Sequence, residues 1–257
     1  MRERGVRDAR PALPASHQFR LLTRGLHGSR PGPEFGEPVH DESALRQLFR
    51  EIGVGPRGIT VPRLVLAGHS EGAVVASVIA TEGAAADGVV LLSGPSLGIL
   101  GIMIEQARGM LPPGGSDQPV RLLERIVVHI RRGEPIPEDL RAKAGGDLGA
   151  GALAKMPPEA IAYMRDCDAT DPAATIARYD KPVLIIQGGA DTSVPPHHAE
   201  RLRDARGSRP TTHHLLDGLS HMYKPVPEGA SPMEIFGLAG PTDPRVAEAI
   251  DNFVRAL

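Results

Sequence analysis

The chain has 257 residues, enough for one large domain with a substantial core or at most two small ones. Its formal net charge of −2 gives no indication of binding to nucleic acid or to an anionic membrane surface. Its aromatic content of 3%, with no Trp, argues against stacking on nucleic-acid bases and against an aromatic platform that binds sugars. The single cysteine, Cys167, excludes an internal disulfide and a cysteine-based zinc site, and no segment approaches the ~18–20 consecutive apolar residues of a membrane span.

The amino-terminal part carries the weakest structural signals. Residues 1–18 contain four arginines and no apolar run, which favours a disordered or mis-started terminus over a secretory signal and predicts a cytoplasmic protein. Beyond them we predict a short strand at 19–23, a glycine-rich loop at 24–33 and a helix at 43–52. Residues 53–58 fit the dinucleotide fingerprint G-x-G-x-x-G, but they follow a helix and precede a strand, the reverse of the order that pyrophosphate binding requires.

Apolar strands then alternate with helices, up to one long helical stretch. We predict a strand at 63–67, a helix at 71–79 and a strand at 88–92. The helix is apolar around its whole circumference, so we expect it to be deeply buried. Residues 97–176 show several helical patterns and no convincing strand, and they include an apolar stripe at 122–130.

The strands return after the helical stretch. We predict a strand at 182–187, a helix at 198–204, a strand at 211–216 and a final helix that Asp243 can cap and Pro244 can begin. Continuous apolar strands that alternate with helices are typical of a parallel sheet covered on both faces. The sequence therefore predicts an α/β fold, with a mostly parallel sheet flanked by helices.

A serine in the pattern G-x-S-x-G stands between the first of these strands and the apolar helix. The segment is Gly68-His69-Ser70-Glu71-Gly72. At a sharp strand-to-helix turn, the serine lies exposed at the sheet's edge, and the flanking glycines let strand and helix approach closely. The pattern indicates Ser70 as a nucleophile and the backbone N–H of Glu71, at the helix N-terminus, as an oxyanion donor. We interpret the Glu71 side chain as stabilising the first helical turn.

The same pattern recurs at Gly94-Pro95-Ser96-Leu97-Gly98. Ser96 also follows a strand, but Gly98 and Gly101 interrupt the segment after it, and Pro95 constrains the turn. Between Ser70 and the predicted strand at 182–187 the chain has one further predicted strand, at 88–92. Between Ser96 and the strand at 182–187 it has none. We therefore interpret Ser96 as a loop serine.

A serine nucleophile needs a base, and the base needs an acid that holds its tautomer. Asp191 and His221 each follow a predicted strand, so we expect both at the edge of the sheet where Ser70 lies. Asp180 precedes the same strand that Asp191 follows, which places it at the opposite end. Asp217 is a rival acid, although an Asp-Gly pair at a strand end is more typical of a turn.

We interpret the remaining histidines as structural. His197 and His198 open a surface helix and are expected to be solvated, and of His213 and His214 at most one can face the cleft. The His69 side chain is expected to point into the packing of the elbow. Side chains of adjacent histidines diverge and no H-E-x-x-H is present, so the sequence predicts no metal site and no cofactor.

Together these residues resemble the α/β-hydrolase superfamily in its Ser…Asp…His order, and more closely its bacterial esterase-like members with a GHSEG elbow. The resemblance spans 19–257 and rests on RLVLAGHSEGA, PVLIIQGGADTSVPP, LLDGLSHMYKP and the run-in DPAATIARYDKPVLI. It implies Ser70 as nucleophile, Asp191 as acid, His221 as base and a helical cap at 97–176. The activity it implies is hydrolysis of a small-molecule carboxylic ester, or of a thioester, through an acyl-enzyme.

The chain departs from that family before the elbow. Family members have two or three further strands there and a His-Gly loop that gives the second oxyanion donor, whereas 69 residues precede Ser70 here. Residues 24–29 are similar to the family's loop after its fourth strand, and in an alternative interpretation His27-Gly28 is the oxyanion loop. Two hypotheses stay open: a serine esterase, or a truncated, non-catalytic remnant that only binds a ligand or partner.

Overall fold

The computed structural model describes residues 63–112, 114–145 and 149–257. The predictions made for residues 1–62 lie outside these residues: the terminus at 1–18, the strand at 19–23, the helix at 43–52 and the two glycine-rich loops.

Four parallel strands form the sheet of the described residues, in the order β1-β2-β3-β4. They are β1 (Val65–His69), β2 (Gly88–Leu92), β3 (Val183–Gly188) and β4 (Thr211–Leu216). Strands β2 and β3 are buried along almost their whole length, because helices cover both faces of the sheet. The predicted α/β fold with a parallel sheet is confirmed.

Ten helices accompany the sheet in the part of the chain that the structure describes. In chain order they are α1 (Glu71–Thr81), α2 (Ile99–Gly109), α3 (Gln118–Arg132), α4 (Glu138–Lys143), α5 (Ala150–Lys155), α6 (Pro158–Asp168), α7 (Pro172–Ala177), α8 (His197–Arg206), α9 (Pro232–Phe236) and α10 (Pro244–Ala256). Among these described helices, none combines the length and the apolar character that crossing a bilayer requires.

Two apolar clusters cover the two faces of the sheet. One joins α1, α7 and α8 to the strands through residues such as Ala76, Ile176 and Leu202. The other packs Val246 and Phe253 of α10 against β2 and β3. The helix α10 begins as its sequence predicts, since the Asp243 side chain accepts a hydrogen bond from the backbone N–H of Arg245.

Helices α2–α6, at residues 99–168, lie between β2 and β3 in the chain, and we call this region the helical insert. It has an apolar cluster of its own, built around Leu123, Ile126 and Ile130 on one face of α3. These residues belong to the predicted apolar stripe, and all three are fully buried. The insert therefore carries its own core and does not depend on the sheet for one.

Two predicted details around the first helix are wrong. Strand β1 runs to His69 rather than ending at residue 67, so it leads directly into Ser70. The helix α1 is not buried all round, because Val74 and Val75 are only half-buried. These two side chains line a pocket beside Ser70.

Candidate active site

Ser70 occupies a sharp turn between β1 and α1. Its backbone has φ 54° and ψ −123°, a conformation that glycine adopts readily and other residues rarely do. A Cβ atom on Gly68 would lie 1.9 Å from the carbonyl oxygen of Gly72, so the strand and the helix approach so closely that residue 68 must be glycine. At Gly72 a Cβ atom would meet nothing within 4 Å, so of the two glycines only Gly68 is needed for this contact.

The backbone N–H of Glu71 opens the helix α1. Among the described residues it makes no hydrogen bond, as expected for the first N–H groups of a helix. The positive end of the helix dipole lies at the same point, so this N–H can donate to a negatively charged oxygen near Ser70.

Asp191 follows β3 and is almost completely buried, at 3% exposure. Its Oδ1 accepts hydrogen bonds from the backbone N–H groups of Ser193 and Val194, both at 2.9 Å. Its Oδ2 accepts from Gln187 Nε2 at 3.0 Å and from His221 Nδ1 at 2.8 Å. Four donors therefore hold this carboxylate in one orientation. The role of Gln187 was not predicted, because a single polar residue in an apolar strand has no partner that the sequence reveals.

His221 lies in the loop after β4 and keeps 16% of its side chain exposed. Because Nδ1 donates to Asp191, the lone pair lies on Nε2, which has no hydrogen-bond partner among the described residues. Tyr223 attaches this loop to β3, since its hydroxyl donates to the carbonyl of Ile186 at 2.9 Å. In the same residues no hydrogen bond joins Ser70 Oγ to His221 Nε2, although catalytic hydrogen bonds are often long before substrate binds.

His69 contacts His221 directly. Its Nε2 donates to the backbone carbonyl of His221 at 2.8 Å, and the two ring centroids are 4.6 Å apart. Burial lowers the pKa of His69, so the ring is neutral at pH 7. The residue expected to fill space in the elbow thus packs against the loop that carries His221.

A pocket of about 270 Å³ opens beside Ser70. Its lining is mostly apolar, with Val74 and Val75 from α1, and Ile102 and Met103 from the helical insert. Glu71 is the one charged side chain among the described lining residues. The pocket can therefore hold an uncharged, apolar group next to the Ser70 hydroxyl.

The rival acids lie elsewhere. Asp180 is 83% exposed and forms an ion pair with Arg209 at 2.9 Å, at the end of β3 opposite Asp191. Asp217 makes no side-chain hydrogen bond to His221 in the described structure, and it packs against Gly189 in the turn after β4. Of the two histidines in β4, His213 is half-buried and His214 is exposed.

A second cluster of serine, histidine and carboxylate lies outside this site, and we call it the His198 cluster: Ser96, Glu105, His197 and His198. Ser96 Oγ is 2.8 Å from His198 Nδ1, and His198 Nε2 is 2.8 Å from Glu105 Oε2. His197 Nε2 is 2.9 Å from the other oxygen, Glu105 Oε1. The prediction of solvated histidines is wrong for His198, which is fully buried, and the prediction of diverging side chains is wrong for the pair.

The ligand atoms of Glu105, His197 and His198 lie within 4.8 Å of one another, a spacing that would suit a metal ion. The backbone N–H of Ser96 donates to His198 Nδ1 at 3.1 Å, which requires the lone pair of the ring on Nδ1. In that tautomer Nε2 carries the hydrogen and has no lone pair for a metal. The donor set therefore fits a hydrogen-bonded cluster better than a metal centre.

The comparisons with known proteins concern the family and the fold. Residues 8–234 match the Alpha/beta hydrolase family, and no curated protein matches the chain. Among solved structures, VinJ is 17% identical with a TM-score of 0.45, over 84% of this chain and 71% of VinJ. A monoacylglycerol lipase of Paleococcus ferrophilus is 20% identical with a TM-score of 0.38, over 72% of this chain and 67% of the lipase. Rv0554 of Mycobacterium tuberculosis is 15% identical with a TM-score of 0.39, over 69% of this chain, which spans 62% of the length of Rv0554.

Proposed function

The chain belongs to the alpha/beta hydrolase family, and from that premise we propose that it is a serine hydrolase that cleaves carboxylic esters through an acyl-enzyme. Ser70 is the nucleophile, His221 the general base, and Asp191 the acid that holds the imidazole. The observation that carries the proposal is the 2.8 Å bond between His221 Nδ1 and Asp191 Oδ2, which leaves Nε2 free to take a proton.

Ser70, His221 and Glu71 have distinct roles in the proposed reaction. Ser70 Oγ attacks the ester carbonyl while His221 Nε2 takes its proton, and the Glu71 N–H donates to the oxyanion that forms. His221 then gives the proton to the leaving alcohol, and the acyl group stays on Ser70. A water molecule, deprotonated in turn by His221, attacks the acyl carbon. The bond to Ser70 Oγ then breaks, His221 returns the proton to Oγ, and the carboxylic acid leaves.

The pocket supports a small ester as the substrate. Its apolar walls favour an uncharged acyl or alcohol group, because burying a charge there without a partner is costly. The same geometry admits a thioester, since its carbonyl meets the same nucleophile and donor. Esters and thioesters with matched acyl groups would show which leaving group the protein prefers.

Labelling with a tagged fluorophosphonate tests the nucleophile. The wild-type protein should form a covalent adduct, and Ser70→Ala should form none, although its circular dichroism spectrum is unchanged. Ser96→Ala is the matched control, because it removes the serine of the second G-x-S-x-G segment, and it should still be labelled. Labelling that persists in Ser70→Ala would contradict the assignment of the nucleophile.

One observation favours the second candidate, a non-catalytic remnant that binds a small ligand. No hydrogen bond joins Ser70 Oγ to His221 in the described residues, so a base activates the hydroxyl only if the two side chains come closer when substrate binds. The same probe separates the two candidates. A well-folded wild-type sample that neither reacts with fluorophosphonate nor hydrolyses p-nitrophenyl butyrate would favour the remnant.

A further inference from the structure

The His198 cluster joins three separate parts of the chain. Ser96 follows β2, Glu105 lies on α2 of the helical insert, and His198 lies at the start of α8. Ser96 and His198 are 5% and 0% exposed. Hydrogen bonds in such a shielded environment are stronger than at the surface, and a group that loses its partner there is costly.

The carboxylate of Glu105 completes this cluster. Because Ser96 N–H donates to Nδ1, the hydrogen of the neutral His198 ring lies on Nε2 and donates to Glu105 Oε2. Burial lowers the pKa of His198, so this neutral form prevails at pH 7. The other carboxylate oxygen contacts His197, whose side chain is 38% exposed. One side chain of α2 thus binds two successive residues of α8.

Helix α2 also forms one wall of the pocket beside Ser70. Ile102, Met103 and Gln106 of this helix line the pocket, and Glu105 does not. Gln106 Nε2 also donates to the backbone carbonyl of Ser193 at 2.9 Å. Two neighbouring side chains therefore tie the pocket wall to the segment that runs from the Asp191 loop into α8.

We propose that Glu105 is a positioning residue that holds the α2 wall of the pocket in place through His198, and thereby determines how well large acyl groups bind. It acts at a distance from the reacting atoms and does not touch the acyl group. The proposal rests on the proposed function only where it names an acyl group as the occupant of the pocket.

Removing the carboxylate leaves the buried Nε2–H of His198 without its acceptor, so α2 loses an attachment to α8. The acetyl group is the shorter of the two test groups, so we expect its ester to depend little on the α2 wall and the hexanoyl ester to depend on it more. In Glu105→Ala we expect KM for p-nitrophenyl hexanoate to rise about tenfold. This is the size of effect that removing a hydrogen bond to a charged group typically has. The value of kcat for p-nitrophenyl acetate should stay within about twofold of wild type, because the triad is intact.

Glu105→Gln is the conservative variant. Its amide oxygen still accepts from His198 Nε2–H, so KM for the hexanoate should return to near the wild-type value. Arg108→Ala is the matched control, because Arg108 lies on α2 like Glu105, its exposed ion pair is with Glu124 of α3, and it does not line the pocket. It should behave as wild type with both esters.

Hydrogen–deuterium exchange tests the attachment without any substrate. The amides of α2 should exchange faster in Glu105→Ala than in wild type, Glu105→Gln and Arg108→Ala, while those of β3 are unchanged. This result would stand even if the protein hydrolysed no ester, so it separates a failure of this proposal from a failure of the proposed function.

Four results would overturn the proposal. Glu105→Ala could match Arg108→Ala in exchange over α2, or could impair the acetyl and hexanoyl esters equally. Glu105→Gln could fail to restore the behaviour of wild type, which would mean that the hydrogen bond is not what matters. Finally, equimolar Zn²⁺ could raise the melting temperature of wild type and not of Glu105→Ala, which would make the cluster a metal site instead.

Discussion

Two histidines among the described residues each bind a carboxylate at 2.8 Å. His198 contacts Ser96 of one G-x-S-x-G segment, and His221 contacts His69, which precedes Ser70 in the other. His221 donates to Asp191 and leaves its second nitrogen without a partner among the described residues, with 16% of the side chain exposed. His198 uses both nitrogens, one with Ser96 and one with Glu105, and its side chain is 0% exposed.

The serine–histidine distance alone would select Ser96 and His198 rather than the proposed pair, Ser70 and His221. Ser96 lies within hydrogen-bond reach of its histidine, and Ser70 makes no such bond among the described residues, yet Ser96 is buried and does not line the pocket beside Ser70. A general base needs a free lone pair and access to substrate, and the ring of His198 has neither. We call Ser70 and His221 the open pair and Ser96 and His198 the closed pair. The open pair suits catalysis, and the closed pair suits the packing of one helix against another.

Replacing each histidine by alanine gives the largest expected effect. His221→Ala should lower kcat for p-nitrophenyl butyrate by about 10⁴-fold or more, because it removes the proposed general base. His198→Ala should keep kcat within about tenfold, yet lose about 2–4 kcal/mol in the free energy of unfolding, since it leaves a cavity and an unpaired carboxylate. Urea denaturation and steady-state kinetics on both variants would show that one variant mainly loses activity and the other mainly loses stability.

The contrast fails if both variants lose stability and activity in the same proportion. In that case the two pairs would belong to one network, and the division between an open and a closed pair would be wrong.

The acid of the open pair gives the next largest effect. Asp191→Asn should lower kcat by about 10³–10⁴-fold with the fold intact, because an amide at this position favours the wrong tautomer of His221. Asp217→Asn is the control, since Asp217 does not bind His221, and its kcat should stay near that of wild type. The reverse result would make Asp217 the acid.

For the closed pair we expect a smaller effect, a loss of folding stability at acidic pH. Burial lowers the pKa of His198 below its usual 6.5, so between these two values the unfolded chain binds more protons than the folded one. Stability should therefore be constant above about pH 6.5 and fall as the pH drops below it. His198→Gln has no group to titrate and should lose less stability between pH 7.5 and 5.5 in urea denaturation. An equal loss in both proteins would assign the acid sensitivity to other groups, such as His69 and His213, whose pKa values burial also lowers.

The sheet and the position of Asp191 could be predicted because their signals are local. Continuous apolar runs define β2 and β3, and the carboxyl ends of parallel strands meet at one edge, so residues that follow different strands come together there. The end of β1 could not be predicted, because Gly68 interrupts the apolar run. Its glycine is required by a contact with Gly72 that only the folded turn creates.

The His198 cluster could not be predicted for a different reason. Glu105 and His198 are 93 residues apart in the sequence. The charged residues that follow His198 in α8 predict a surface helix, not a buried histidine. No periodicity links a histidine to a carboxylate on another helix. The same holds for His69, whose contact with His221 spans 152 residues.

The backbone at Ser70 has a consequence for the stability of the turn between β1 and α1. A φ of 54° with a ψ of −123° strains any residue with a side chain by about 1–3 kcal/mol and leaves glycine unstrained. Ser70→Gly should therefore unfold at higher urea concentration than Ser70→Ala, although glycine gains about 0.5–1 kcal/mol of extra entropy in the unfolded chain. Serine at this position therefore makes the turn between β1 and α1 less stable than glycine would, and the turn holds its hydroxyl beside the pocket at that cost.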